Sequence, residues 1–185
     1  MAQRVCPWWL GYLLASPVRR LFEDPVRVVA PFVREGMTVL EPGPGMGFFT
    51  LELARLVGPS GRVVAVDIQP RMLSSLKRRA ARAALLERVD ARLAAPDALG
   101  IVDLAGAVDF TLAFALVHEL PAIKPFFTEV ANASRPGAGL LFAEPAGHVK
   151  TGDFEAEMEA AIHAGFELVE RPAIRRSHAA FLKRA

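Results

Sequence analysis

A chain of 185 residues with 52% hydrophobic composition can bury one good core and is short for two ordinary domains. Its 22 Lys and Arg nearly balance its 20 Asp and Glu, and the net charge of +2 gives no reason to expect a polyanionic partner despite a pI near 9.0. The single cysteine, Cys6, excludes an intramolecular disulfide and fits a reducing, cytoplasmic compartment.

The first element is the apolar run "VCPWWLGYLLA" from Val5 to Ala15. Trp8, Trp9 and an early proline do not suit a signal peptide, and the run is far shorter than the ~20 residues of a membrane span. The expectation is a helical segment over residues 1–36 that folds as a lid over a domain of residues 37–185. Within it, Asp24-Pro25 reads as an N-cap with a first-turn proline, Val29, Phe32 and Val33 as an apolar stripe, and Gly36 as the C′ residue.

Met37 to Glu41 reads as a strand, Phe48 to Val57 as a helix, "GPSG" at Gly58 to Gly61 as a turn, and "RVVAVD" from Arg62 to Asp67 as a buried strand, a complete βαβ unit. The pattern repeats: a helix from Pro70 to about Leu86, a weak strand at Asp90 to Ala95, a strong one at Val108 to Phe114, a helix at Ala122 to Ala133, a turn in "RPGAG" (Arg135 to Gly139) and a strand at Leu140 to Glu144. A helix from Asp153 to Ala164 precedes two strands, Phe166 to Arg171 and His178 to Lys183, joined as a hairpin. Alternating helices and apolar strands predict an α/β fold on a largely parallel sheet.

Three glycines at alternate positions, Gly43, Gly45 and Gly47, stand where the first strand enters its helix, after Glu41 in "VLEPGPGMGFFT". Glycine at such a strand end lets a ligand touch the main chain. The dinucleotide spacing G-x-G-x-x-G fails, because Phe48 occupies the third glycine position. A carboxylate at the strand tip also suits an ammonium or sulfonium better than a pyrophosphate.

These residues resemble the class I S-adenosylmethionine-dependent methyltransferases, and within them small proteins of the generic "type 11" kind. The resemblance rests on "VLEPGPGMGFFT", on "VVAVDIQPRML", on "VDFTLAFALVHEL" with "RPGAGLLFAEP", and on a C-terminal antiparallel strand, and covers most of residues 37–183. It implies a Rossmann-like, doubly wound αβα fold with a seven-stranded mixed sheet of order 3-2-1-4-5-7-6 and the last strand antiparallel. It further implies S-adenosylmethionine as cofactor, with S-adenosylhomocysteine as product. Gly43, Gly45 and Gly47 would line the methionine part, Glu41 would help hold its amino group, Asp67 would accept from the ribose hydroxyls, and Ile68 and Met72 would pack near the adenine. Pro96, Asp97 and Phe114 complete the implied contacts. Where many relatives carry an aspartate after the third strand this chain has Ala95, and the resemblance implies that Asp97 would have to substitute through a shifted loop.

The tips of the fourth and fifth strands supply His118, Glu119, Glu144 and His148, which the family's strand order brings together near the methyl group. His118 is the candidate general base and Glu119 its orienting partner; the alternative is a histidine that caps a helix or binds a loop carbonyl. The spacing of these residues matches no standard metal motif, so no metal is expected. Leu73, Leu76, Ala80 and Ala84 form a buried stripe that leaves Lys77, Arg78 and Arg82 as a solvated face, so nucleic acid is not expected as a partner. The expected acceptor is a small molecule, there is no membrane span, and the positive mean hydropathy is compatible with a homodimer. The alternatives are a cofactor-binding protein without transferase activity and an RNA or protein methyltransferase.

Overall fold

A computed structural model describes residues 23–185. The expectations placed on Cys6, Trp8, Trp9 and most of the lid lie outside the described residues. These form two compact units, 23–95 and 96–185.

In the first unit, Asp24 caps helix α1 (Pro25–Val29), its carboxylate accepting from the Val26 and Arg27 amides. The helix is five residues long, shorter than expected. Gly36 closes the turn that follows, at φ +83°, and its amide reaches the Val57 carbonyl. Strand β1 (Thr38–Pro42), helix α2 (Thr50–Leu56), strand β2 (Arg62–Asp67), helix α3 (Pro70–Arg82) and strand β3 (Val89–Leu93) follow. β1 pairs parallel with β2, and β2 with β3. Gly61, just before β2, admits no side chain: a Cβ there would lie 2.6 Å from the Val57 carbonyl oxygen. The α3 stripe is buried at Leu73, Leu76 and Ala80, with Lys77, Arg78 and Arg82 outward. Ala84 departs from expectation, because it lies beyond the helix end, exposed, at φ +54°.

The second unit contains β4 (Val108–Phe114), α4 (Ile123–Ala133), β5 (Ser134–Pro145), α5 (Thr151–His163), β6 (Phe166–Glu170) and β7 (Ser177–Arg184). β4 and β5 are parallel, while β7 runs antiparallel to both β5 and β6. The turn expected at "RPGAG" is a correction: Ser134 already pairs with Val108, and the register resumes at Gly139 opposite Phe110, so the segment is a bulge inside β5. Phe142 of β5 meets Phe127 of α4 at 5.7 Å and stacks on Phe154 of α5 at 4.8 Å, which fixes both helices to one face of that strand.

The strands form one sheet of order β3-β2-β1-β4-β5-β7-β6 flanked by helices, the arrangement expected from the sequence. No helix among the described residues is long and apolar enough to cross a membrane.

Candidate active site

The glycine loop leaves the carboxyl end of β1 with Gly43, Gly45 and Gly47 at φ +69°, +54° and +85°. All three occupy the left-handed region that other residues adopt only at a cost. Their reasons differ. The Gly43 amide bonds the Val66 carbonyl at 2.8 Å and ties the loop to β2. A Cβ on Gly47 would collide with the Leu76 side chain of α3. A Cβ on Gly45 would meet nothing within 4 Å among the described residues, leaving open space over the backbone where a ligand can approach.

Glu41 is 3% exposed, and among the described residues its Oε2 has no hydrogen-bond partner. Burial, aided by the charge of Asp67, pushes its carboxyl up to about 8; the nearby Thr50 hydroxyl offsets part of this but makes no well-formed hydrogen bond. Asp67 ends β2 and accepts from the Gln69 amide at 2.8 Å, which fixes the carboxylate at the strand tip. Ile68 is partly exposed beside it, and Met72 is buried on the first turn of α3.

In the second unit, Ala115 follows β4 at φ +52°, an unusual conformation for alanine, and turns the chain so that two consecutive amides face β5. Leu116 N and Val117 N donate to Glu144 Oε1 at 3.1 and 2.7 Å. The other oxygen, Oε2, accepts from His118 Nδ1, which assigns the neutral tautomer and leaves Nε2 for proton exchange. Glu144 is wholly buried, and the His118 side chain is 26% exposed. The hydrogen bond to Glu144 raises the His118 pKa above its ordinary range; burial opposes this, and Glu144, Glu119 and Glu157 add to it by charge.

The hydrogen-bond partner of the imidazole is therefore Glu144, where the sequence pointed to the adjacent Glu119. His148 stands exposed in the turn after β5. Pro96 and Asp97 lie on an exposed turn, and Phe114 is half-buried at the end of β4. Among the described residues no group of three or more His, Cys, Asp or Glu is arranged to hold a metal ion.

Sequence reasoning missed Glu157. It is 5% exposed on α5, its Oε2 has no partner among the described residues, and burial together with the Glu144 charge pushes it up to about 7. The signal was its place three residues after Phe154 and four before Ala161, on the apolar stripe of the helix.

A family model described as a methyltransferase domain matches residues 33–178. The chain belongs to this family. A methyltransferase described as S-adenosylmethionine-dependent from Aquifex aeolicus superposes with a TM-score of 0.86 over 98% of this chain and all of that one, at 22% identity. The [4+2]-cyclase SpnF shares the fold at a TM-score of 0.68 and 21% identity, over 80% of this chain and 59% of its own. In sequence, the ribosomal protein L11 methyltransferase of Pelotomaculum thermopropionicum is 32% identical over 149 residues, 79% of this chain and 43% of that protein. The arsenite methyltransferase of Halobacterium salinarum is 30% identical over 109 residues, 59% of this chain and 27% of that protein. The chain thus spans less than half the length of these curated relatives.

The residues of this methyltransferase domain fit its cofactor, S-adenosylmethionine. The open backbone at Gly45 accepts close approach, and the unpartnered Glu41 Oε2 fits the ammonium of an amino acid moiety. Asp67 carries lone pairs suited to vicinal hydroxyls.

Proposed function

We propose that the chain transfers a methyl group from S-adenosylmethionine to a small-molecule acceptor in the cytoplasm, with His118 as the general base. The observation that carries this reading is the His118–Glu144 pair, built on a strained turn and two backbone amides at the carboxyl ends of β4 and β5. Binding sites in parallel sheets lie at these ends. Glu41 and Asp67 would hold the cofactor's amino group and ribose, with Gly43 and Gly45 presenting backbone to it. When bound, the cofactor supplies a methyl group already activated on a sulfonium.

The protein's own part is to orient the acceptor and remove its proton. Glu144 holds Nδ1–H and so presents Nε2 as the acceptor of a hydroxyl or thiol proton. The Glu144 carboxylate then stabilises the imidazolium.

Support for a small acceptor comes from the charge distribution. Arg79 and Arg88 bond the Met46 and Ala54 carbonyls within the first unit, so the basic character of α3 and its surroundings is partly structural. One relative is named for arsenite, a small acceptor, and another for a ribosomal protein.

The test is tritiated methyl transfer to a panel of thiols, phenols, amines and arsenite, with ribosomal protein, isoaspartyl peptide and RNA alongside. Label in a small compound is the expected result. Label confined to protein or RNA would overturn the acceptor class. Binding of S-adenosylhomocysteine with no transfer to any of them would favour a cofactor-binding role.

A further inference from the structure

Because β7 runs antiparallel to β5, its first residues arrive at the end of the sheet where the His118–Glu144 pair stands. Ser177 is opposite Pro145 and His178 opposite Glu144, so the His178 and Glu144 side chains share one face of the sheet on neighbouring strands about 4.8 Å apart. Phe142, two residues before Glu144 and on the same face, stacks on Phe154 of α5, and the His178 ring lies 5.5 Å from that phenylalanine. The His178 imidazole is half-buried, yet among the described residues neither ring nitrogen has a hydrogen-bond partner.

The turn that leads into β7 is built on arginines. The Ser177 amide donates to the Ile174 carbonyl at 3.1 Å, which makes Arg175 and Arg176 the central pair of a four-residue turn. Arg176 takes φ +58°, a conformation that glycine adopts freely and arginine only at a cost. Its carbonyl accepts from the Ala146 amide at 2.9 Å and so ties the turn to the chain leaving β5. Both arginines are exposed, and among the described residues neither guanidinium has an ion pair or a hydrogen bond. Where the backbone alone asks for glycine, an unpaired cation stands beside the candidate site. The nearest carboxylates do not absorb its charge: Glu144 is bonded by two amides and His118, and Glu155 by both Arg171 guanidinium nitrogens.

We infer that Arg176 and His178 form an anion subsite for the acceptor, so that the small molecule methylated beside His118 carries a carboxylate or phosphate group as well as its hydroxyl or thiol. This rests on the His118–Glu144 pair being the acceptor's place. An oxyanion brings what both side chains lack, lone pairs for a guanidinium and for an imidazole N–H, and Arg175 adds positive charge beside them. A single anionic group fits this surface better than a nucleic-acid backbone does. Polyanion binding draws on many phosphate contacts along a basic track, whereas here Asp153, Glu155 and Glu170 interrupt the positive charge.

The experiment needs no acceptor. Inorganic phosphate and acetate are titrated into the full-length protein near pH 7, and the backbone amides and histidine rings are followed by NMR in wild type, Arg176→Gly, Arg176→Lys and His178→Ala. Saturable shifts centred on residues 174–178 are expected, with affinity about tenfold lower or worse in Arg176→Gly and in His178→Ala, and partly recovered in Arg176→Lys. The stronger of the two probes tells a phosphate-bearing acceptor from a carboxylate-bearing one. Glycine suits the backbone at position 176, so Arg176→Gly should unfold in urea no earlier than wild type, and lost binding in that variant is not lost folding. Shifts that never saturate, or that are the same in wild type and Arg176→Gly, overturn the inference. An RNA oligonucleotide that binds these residues far more tightly than either probe overturns it too. Failure of the methyl-transfer reading looks different: the anions would still bind at the turn while no small compound, acidic or neutral, takes up label. Label taken up by neutral compounds in preference to acidic ones would instead overturn the subsite and leave that reading standing.

Discussion

Each half of the chain buries a glutamate with an unpartnered oxygen, and the two halves leave the problem open in different ways. Among the described residues Glu41 has Asp67 and the Thr50 hydroxyl acting on it, and no cation. It is suited to a ligand that brings positive charge. Glu157 has His118 beside it, an internal group that can become a cation. Burial raises both carboxyls, to about 8 and about 7. A buried carboxylate without a partner is thus read by asking which cation can reach it.

The comparison breaks most visibly at His118. His118→Ala should lower turnover by about 10² to 10⁴ while leaving S-adenosylmethionine affinity nearly unchanged, because the base acts only in the chemical step. The wild-type rate should rise with pH through a value above 6.5, as the direction of the His118 shift requires. A steady-state pH profile checks both.

The first half should respond in binding. Asp67→Ala should weaken the cofactor by about 1.5 to 3 kcal/mol, the scale of hydrogen bonds to a charged group. Its turnover at saturating cofactor should stay close to wild type, the converse of His118→Ala.

Stability sharpens the comparison further. A carboxyl raised by folding contributes stability that is present below its unfolded pKa of 4.5 and is lost as pH rises through its folded value, near 8 for Glu41 and near 7 for Glu157. The cofactor-free protein should therefore weaken from pH 4.5 to 8. Glu41→Gln should remove part of that slope, gaining about 1 to 3 kcal/mol on wild type between pH 5 and 8 in urea unfolding.

The glycines give the smallest difference. Gly45→Ala and Gly47→Ala share the left-handed penalty of about 1 to 2 kcal/mol. Only Gly47→Ala also meets Leu76, so it should be the less stable of the two by about 1 kcal/mol, whereas Gly45→Ala should lose more cofactor affinity.

The glycine loop was legible because its chemistry is contiguous: acid, glycines and strand tip lie within ten residues. β2 and β4 were read to the residue because buried parallel strands are unbroken apolar runs. What the sequence hid was tertiary. Nothing local distinguishes Glu144 from Glu119 as the partner of His118, since the choice depends on β5 lying beside β4 and on a left-handed alanine. Nor does the sequence show that Leu76 of the next helix lies where a side chain at Gly47 would go. The "RPGAG" turn became a bulge because its flanks both pair with β4. Glu157 lay in plain view on an apolar helical stripe, and only the burial of that stripe gives its charge meaning.

The most direct test of the account is calorimetry of S-adenosylhomocysteine binding at pH 7 in two buffers of different ionisation enthalpy, with wild type and Glu41→Gln. If Glu41 is held neutral by burial and ionises only against the ligand's ammonium, wild type should bind with release of about one proton, and Glu41→Gln should bind more weakly with none. Wild-type binding with the same heat in both buffers, or no binding at all, would contradict it.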